Sequence, residues 1–212
     1  MGFLKNLFGK QETVRQLTKV HDLLVNDIIV LNDSFGLPER LRGKQFQVTA
    51  INSYEYEHNT QLEWVLTGQD DSELYLSLDV DDKTYLKFAL KIEHEDVEQL
   101  FDLEQFAQVF DSEEPTELDK QADSALTKQW TSDYYRQQTY AQIGYFHRKD
   151  SRSENISVYQ GKDAGEQFEL YALFDQDQDK GIDIEVWSDG DTDVFLTLFR
   201  PLTDVVDFFP GS

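Results

Sequence analysis

The stretch that decides the fold of this chain is residues 73–101, ELYLSLDVDDKTYLKFALKIEHEDVEQLF, because its pattern returns 108 positions later in residues 181–209, GIDIEVWSDGDTDVFLTLFRPLTDVVDFF. The two stretches align without a gap, and apolar residues meet apolar residues on both arms. Several aligned residues are identical, as with Asp81 and Asp189. We interpret this repetition as an internal duplication, in which the second half of the chain repeats the first.

Each copy carries the pattern of a β-hairpin. Apolar residues alternate with polar ones, which is typical of strands that bury one face. The alternating positions are Leu74, Leu76, Leu78, Leu86, Phe88 and Leu90 in the first copy and Ile182, Ile184, Val186, Val194, Leu196 and Leu198 in the second. The intervening residues 79–83 and 188–191 are rich in Asp, with one Gly, as turns require. Beyond each hairpin the apolar spacing becomes helical, which predicts a short helix at 93–101 and another at 203–209.

These patterns together predict an α+β protein, mainly antiparallel β, built from two similar β-hairpin-based units that each end in a short helix. Further strands are expected at 28–31, 46–56, 62–66, 140–147, 156–159 and 168–174, and a further helix at 14–24. The chain is accordingly divided into a basic amphipathic N-terminal segment (1–24), a first β-rich unit (25–110), an acidic linker (111–123) and a second β-rich unit (124–212).

The chain is strongly acidic, with 42 Asp and Glu against 19 Lys and Arg and a formal net charge of −23. Nucleic-acid binding is disfavoured, because neutralising phosphates requires a basic surface. Residues 93–124 hold twelve of the carboxylates, and the part from 111 to 123 reads as a solvated linker. The alternatives for this acidic surface are a docking site for a basic partner and a mimic of DNA charge.

The first ten residues, MGFLKNLFGK, are basic, in contrast to the acidic chain as a whole. Their apolar side chains fall on one face of a helix, and lysines flank that face, so the segment suits docking on a membrane surface or on a protein partner. The docking candidates are Phe3, Leu4, Lys5, Leu7, Phe8 and Lys10. The alternative is that the same apolar residues pack on the domain itself.

Signals of catalysis and of secretion are missing from the sequence. The chain has no Cys, its four His are isolated, and it lacks nucleophile-elbow, Walker and dinucleotide-binding motifs. No stretch approaches the 18 or more apolar residues typical of a membrane span. We therefore predict a cytoplasmic, non-enzymatic protein with no catalytic residue and no cofactor.

One local pattern resembles a metal loop. Asp175, Asp177 and Asp179 alternate as in the first ligand positions of a calcium loop, but Gly181 and Glu185 then fall one position out of register. We predict no metal site and keep the three aspartates as the weak candidate. The default reading is a polar hairpin loop.

Four segments carry a family resemblance: GFLKNLFGK (2–10), LVNDIIVLNDSFGLPERLRGKQF (24–46), WVLTG (64–68) and LYLSLDVDDKTYLKFALKI (74–92). The chain resembles an uncharacterised bacterial family of domains encoded beside phage-shock-protein-A-like genes of the envelope-stress response. The resemblance implies a phage-shock-A-like membrane-stress protein as partner and a location peripheral to the inner membrane. It assigns no catalytic residue.

Two functions from different classes follow. The first is a non-enzymatic adaptor or accessory protein that binds a protein partner through its acidic surface, with the N-terminal segment at the cytoplasmic membrane. The alternative is a binder of a small molecule, such as a sugar or nucleotide, or an enzyme, that uses an aromatic cleft between the two units. The cleft candidates are Trp64, Trp130 and Trp187.

Overall fold

The computed structural model describes residues 15–111, 114–156, 158–162 and 164–211. Within these residues the chain forms eleven β-strands and two short α-helices. The strands are β1 (Ile28–Leu31), β2 (Gln45–Glu55), β3 (Thr60–Gly68), β4 (Glu73–Val80), β5 (Thr84–Ile92), β6 (Glu117–Asp119), β7 (Tyr134–His147), β8 (Glu166–Phe174), β9 (Lys180–Trp187), β10 (Thr192–Pro201) and β11 (Val205–Phe209). The helices are α1 (His94–Leu100) and α2 (Leu103–Asp111), and single 3-10 turns lie at Val20–Asp22 and Leu202–Asp204.

Eight of the strands close into an antiparallel barrel in the order β2-β3-β4-β5-β10-β9-β8-β7, and β7 pairs back onto β2. The two predicted hairpins are present as β4–β5 and β9–β10, but β5 pairs with β10, so both hairpins lie in one continuous sheet. The prediction of an α+β protein made of two hairpin-based units is therefore wrong. The fold is one mainly β protein built on a single barrel, and each half of the chain contributes four of the eight barrel strands.

The segments that follow the two hairpins differ. After β5 the chain forms α1, whose first turn is closed by the Glu93 amide donating to the Asp96 carboxylate at 3.3 Å. After β10, the expected helix at 203–209 is replaced by strand β11, which pairs with β1. Residues 205–209 are Val-Val-Asp-Phe-Phe, and β-branched and aromatic residues favour strands wherever an open strand edge is available. Residues 205–209 therefore extend the sheet beside β1 and do not form a helix.

The hydrophobic core lies on the outer face of the barrel. Leu74, Leu76, Phe88, Leu196 and Ile182 are buried there beneath residues 15–24, the helices and the loop after β6. The covering layer is held by ring contacts, with Phe101 against Tyr135 at 6.2 Å and Phe110 against Tyr171 at 5.2 Å between ring centroids. Because side chains alternate along a strand, the residues between these apolar ones point into the barrel.

The barrel closes through a short seam between β2 and β7. A bulge at Val48/Ala50 redirects β2, so its first residues pair with β1 and residues 53–55 pair with β7. The buried Ser53 hydroxyl donates to the Lys149 carbonyl at 2.7 Å and accepts from the Ser151 amide at 3.0 Å. The seam therefore combines three main-chain pairs with this buried hydroxyl and a buried contact between His147 Nε2 and Glu55 Oε2 at 3.1 Å.

Three further expectations concern segments outside the barrel. Residues 117–119, inside the expected acidic linker, form β6 and pair with β7. In place of the expected helix at 14–24, the described residues 15–24 contain a single 3-10 turn. Neither helix in the described part of the chain is long or apolar enough to span a bilayer.

Candidate functional site

The interior of the barrel contains a cavity of about 940 Å³ beside the β9–β10 turn. All eight barrel strands contribute residues to its wall. A narrow extension of about 40 Å³ continues deeper between the same strands. The cavity is therefore a property of the closed barrel, because neither half of the chain could enclose it alone.

Five side chains border both the wide and the narrow part of the cavity, and we call them the central site: Tyr54, Glu63, Tyr75, Glu185 and Phe195. The Tyr75 and Phe195 rings meet edge to face with centroids 5.5 Å apart. Strand β5 lies between their strands and presents the small Ala89 opposite Tyr75, which leaves room for the two rings to touch. The central site thus combines aromatic walls with two carboxyl groups.

Both carboxyls of the central site are buried, with Glu63 8% and Glu185 6% exposed. The Asn52 amide donates to Glu63 Oε1 at 2.9 Å. Burial raises the pKa of Glu63 to about 7, although hydrogen bonds from Asn52 and Tyr54 and the charge of Lys87 oppose the rise. Burial also raises the pKa of Glu185 well above its usual range, and the negative charges of Glu63 and Asp183 add to the effect.

The deeper part of the interior carries an ion pair. Lys87 contacts the Asp183 carboxylate, and the Lys87 ammonium also lies 5.7 Å from the centroid of the Phe199 ring. Near the mouth, Lys91 pairs with Asp193 at 2.7 Å and Arg148 with Glu166 at 3.4 Å. The cations that line the cavity therefore already have carboxylate partners.

Three buried oxygen atoms inside the barrel have no hydrogen-bond partner among the described residues: Asp183 Oδ1, Glu185 Oε2 and Thr197 Oγ1. An unsatisfied buried acceptor costs about 1–3 kcal/mol, and most native structures avoid it. These atoms lie on neighbouring strands β9 and β10. They mark the part of the interior that a donor from outside the chain would complete.

An aromatic wall connects the central site with the mouth. The Tyr54 ring lies 5.1 Å from Phe146 and 5.5 Å from Phe168, and Phe168 lies 5.4 Å from Trp187, all between centroids. The Trp187 indole donates to Asp193 Oδ2 at 3.3 Å. A planar or apolar molecule that enters the mouth would contact rings along its path.

The three tryptophans expected to form a cleft are separated by the structure. Only Trp187 of the three lines the barrel cavity. Trp64 is buried on the outer face, where its indole donates to the Leu23 carbonyl at 3.3 Å, and Trp130 is buried in the outer core. The candidate docking residues Phe3, Leu4, Lys5, Leu7, Phe8 and Lys10 lie outside the described residues.

The candidate metal residues lie in the β8–β9 turn. Asp175 Oδ1 accepts the Asp179 and Lys180 amides at 3.0 and 3.2 Å, and Asp175 Oδ2 accepts the Ser132 hydroxyl at 2.7 Å. Its oxygens therefore close the turn. Across the residues that the structure describes, no group of three or more His, Asp or Glu side chains could hold a metal ion.

Sequence reasoning missed the central site because its residues occupy the polar positions of amphipathic strands. Tyr75 alternates with Leu74 and Leu76, and Glu185 alternates with Ile184 and Val186. Such positions are ordinarily solvent-facing. The available signal was the density of aromatic residues at these polar positions, which is unusual for a surface facing water.

Protein-family models, curated proteins and solved structures yield no match to this chain. The family resemblance and the partner that it implies stay predictions. Function is therefore argued from the geometry and chemistry of the barrel interior.

Proposed function

We propose that this protein binds a small organic molecule inside its barrel. The observation that carries the proposal is the central site, where buried carboxyls and aromatic rings from opposite walls converge on one cavity. Eight-stranded barrels are wide enough to hold one small ligand, and about 940 Å³ lies within the usual range of ligand sites. This function corresponds to the alternative drawn from the sequence, with the barrel interior in place of a cleft between two units.

The placement of charge adds support. Structural proteins rarely leave carboxyl oxygens buried and unsatisfied, because apolar residues of similar size would stabilise the interior better. In this chain the main apolar cluster lies on the outer face, whereas carboxyl groups and aromatic rings line the interior. Buried carboxyl groups without partners are expected in an interior that binds a ligand, because the ligand can supply the missing partners.

The adaptor function remains a separate prediction. Its docking segment lies outside the described residues, and its protein partner, membrane contact and cytoplasmic location rest on the sequence alone. Removing residues 1–10 and measuring sedimentation with anionic liposomes tests the predicted membrane contact. The non-enzymatic character expected from the sequence likewise stays a prediction.

The binding proposal can be tested by filling the cavity. Val65 lines the mouth, so Val65→Trp should obstruct it, whereas Val80→Trp at an exposed strand end serves as the matched control. Small organic molecules that raise the unfolding temperature of the wild type should lose at least tenfold in affinity with Val65→Trp and keep it with Val80→Trp. Equal affinities in all three proteins would refute an interior site.

A further inference from the structure

The central part of the interior has an excess of carboxyl groups. Glu63, Asp183 and Glu185 surround the narrow cavity, whereas Lys87 is the one cation among its described lining residues. Lys87 is already engaged by Asp183. A negatively charged ligand would find no free cation among these lining residues and would oppose ionisation of the carboxyls, which argues against nucleotides and other phosphates.

The unsatisfied oxygens specify the kind of ligand group. Glu185 Oε2 and Asp183 Oδ1 are buried and unpartnered, and both residues line the narrow cavity. A carboxylate oxygen in its ionised form only accepts hydrogen bonds, so a ligand that donates to these oxygens would hold both groups in that form. A donor that carries positive charge would also relieve the carboxyl excess, which a sugar hydroxyl would not.

The rings beside these carboxyls favour the same kind of molecule. The Tyr54, Tyr75 and Phe195 rings border the central site. Aromatic faces attract cations and also bury carbon surface, so they suit an ammonium group attached to an apolar body. A bare metal ion would be attracted to the ring faces but would bury no carbon surface against them.

We infer that the ligand is a protonated organic amine, with its ammonium group donating to Glu185 and its carbon body packed against the rings of the central site. The inference rests on the binding function proposed above and names its ligand class. Glu185 provides the acceptor atom, and Glu63, on the opposite wall, provides a second negative charge.

Proton release should accompany binding. Burial raises the pKa of both central carboxyls, so an ammonium that favours their ionised forms displaces a proton. Affinity should therefore rise with pH between about 5 and 8, by up to tenfold per unit for each proton released, while alkylamines stay protonated. The other titratable groups that face this pair are Tyr54, Tyr56, Tyr75, Lys87, Asp183 and Asp193.

Calorimetric titration of the full chain with matched probes tests the inference. The amines are phenethylamine and tryptamine, the neutral partners are phenethyl alcohol and tryptophol, and the anionic partners are phenylacetate and indoleacetate. At least one amine should bind at least tenfold more tightly than its alcohol and release protons in buffers of different ionisation enthalpy. Glu185→Gln and Glu63→Gln should each reduce that preference at least fivefold, whereas Glu98→Gln on α1 should leave it unchanged.

The outcomes separate this inference from the proposed function. If alcohols or carboxylates bind as tightly as the amines and Val65→Trp blocks them, the cavity binds ligands but the amine assignment is wrong. If amines bind equally to the wild type, Glu185→Gln, Glu63→Gln and Val65→Trp, the acidic surface attracts them and the inference is overturned. If no probe binds and the wider screen also yields no ligand, both fail.

Discussion

Glu63 and Glu185 stand on opposite walls of one barrel and border the same cavity. Strands β3 and β9 are four places apart in either direction around the eight-stranded ring. The charge of Glu63 contributes to the raised pKa of Glu185, and Tyr54 lines the same cavity as both carboxyls. Closure of the barrel therefore brings together two acids that are separated by more than a hundred residues in the sequence.

This pair should make stability depend on pH. Burial raises the pKa of Glu63 from 4.5 to about 7, so between these values the folded state holds a proton that the unfolded state has released. The contribution of Glu63 is fully present below pH 4.5, declines as pH rises, and is lost above about 7. Glu63→Gln keeps a neutral side chain, and its free energy of unfolding relative to the wild type should rise by on the order of 3 kcal/mol across this window.

Urea unfolding at several pH values between 4 and 8 measures that difference. Glu98→Gln, whose side chain is half exposed on α1, is the control and should stay parallel to the wild type. A constant difference between Glu63→Gln and the wild type would mean that the pKa of Glu63 is the same in the folded and the unfolded state. The raised pKa would then be incorrect.

The seam of the barrel should be sensitive to loss of one hydroxyl. Ser53→Ala removes the donor to Lys149 and leaves the Ser151 amide without its acceptor. We expect a loss of about 1–3 kcal/mol in unfolding free energy. Hydrogen exchange should accelerate in residues 53–55 and 145–147 and not in the β4–β5 hairpin. Uniform exchange across all strands would argue against a local seam, and Ser153→Ala, on the exposed loop, is the control.

Asp27 should hold both ends of the described chain in place. Its buried carboxylate contacts the Arg15 guanidinium and accepts the amides of Leu24 at 2.7 Å and Gly211 at 2.8 Å. Asp27→Asn loses the charge and part of the acceptor capacity, so we expect a loss of about 3 kcal/mol in urea unfolding. Asp22→Asn, at an exposed site, should change it by less than about 0.5 kcal/mol. Equal effects would contradict this role.

Calcium should not stabilise the β8–β9 turn. The Asp175 oxygens are occupied by the turn itself, so millimolar calcium should leave the unfolding temperature unchanged. Asp175→Ala should lower it by several degrees, and Asp177→Ala should leave it unchanged, because Asp175 alone of the two closes the turn. A calcium-dependent rise in the unfolding temperature that Asp177→Ala abolishes would instead support a metal site in this turn.

Most strands of the barrel were predictable from the sequence, but the closure of the barrel was not, and the described residues of the expected strand at 156–159 form no strand. An apolar run followed by turn residues located Ile28–Leu31, and alternation located both hairpins, because a buried outer face imposes a period of two. The period does not reveal whether the opposite face meets water or another strand. That depends on the non-local pairs β5–β10 and β2–β7, for which local pattern carries no signal. The error at 203–209 has the same origin, since the edge of β1 decides that segment.

The candidate site followed the same division. Aromatic richness pointed to a ligand cleft, and of its three candidate tryptophans Trp187 lines the barrel cavity. Trp64 and Trp130 were included because the sequence does not distinguish a ring facing a cavity from a ring facing the outer core. Glu63 and Glu185 could not be singled out among 42 acidic residues without knowing that their strands face each other.

Nitrogen–proton NMR of the three tryptophan side chains during separate titrations with phenethylamine and tryptamine tests the central claim most directly. Trp187 lines the cavity, whereas Trp64 and Trp130 are buried in the outer layer. We expect the indole resonance of Trp187 to move in a saturable way and the other two to stay in place. Movement of Trp64 or Trp130 without Trp187, or no saturable movement at all, would contradict amine binding inside the barrel.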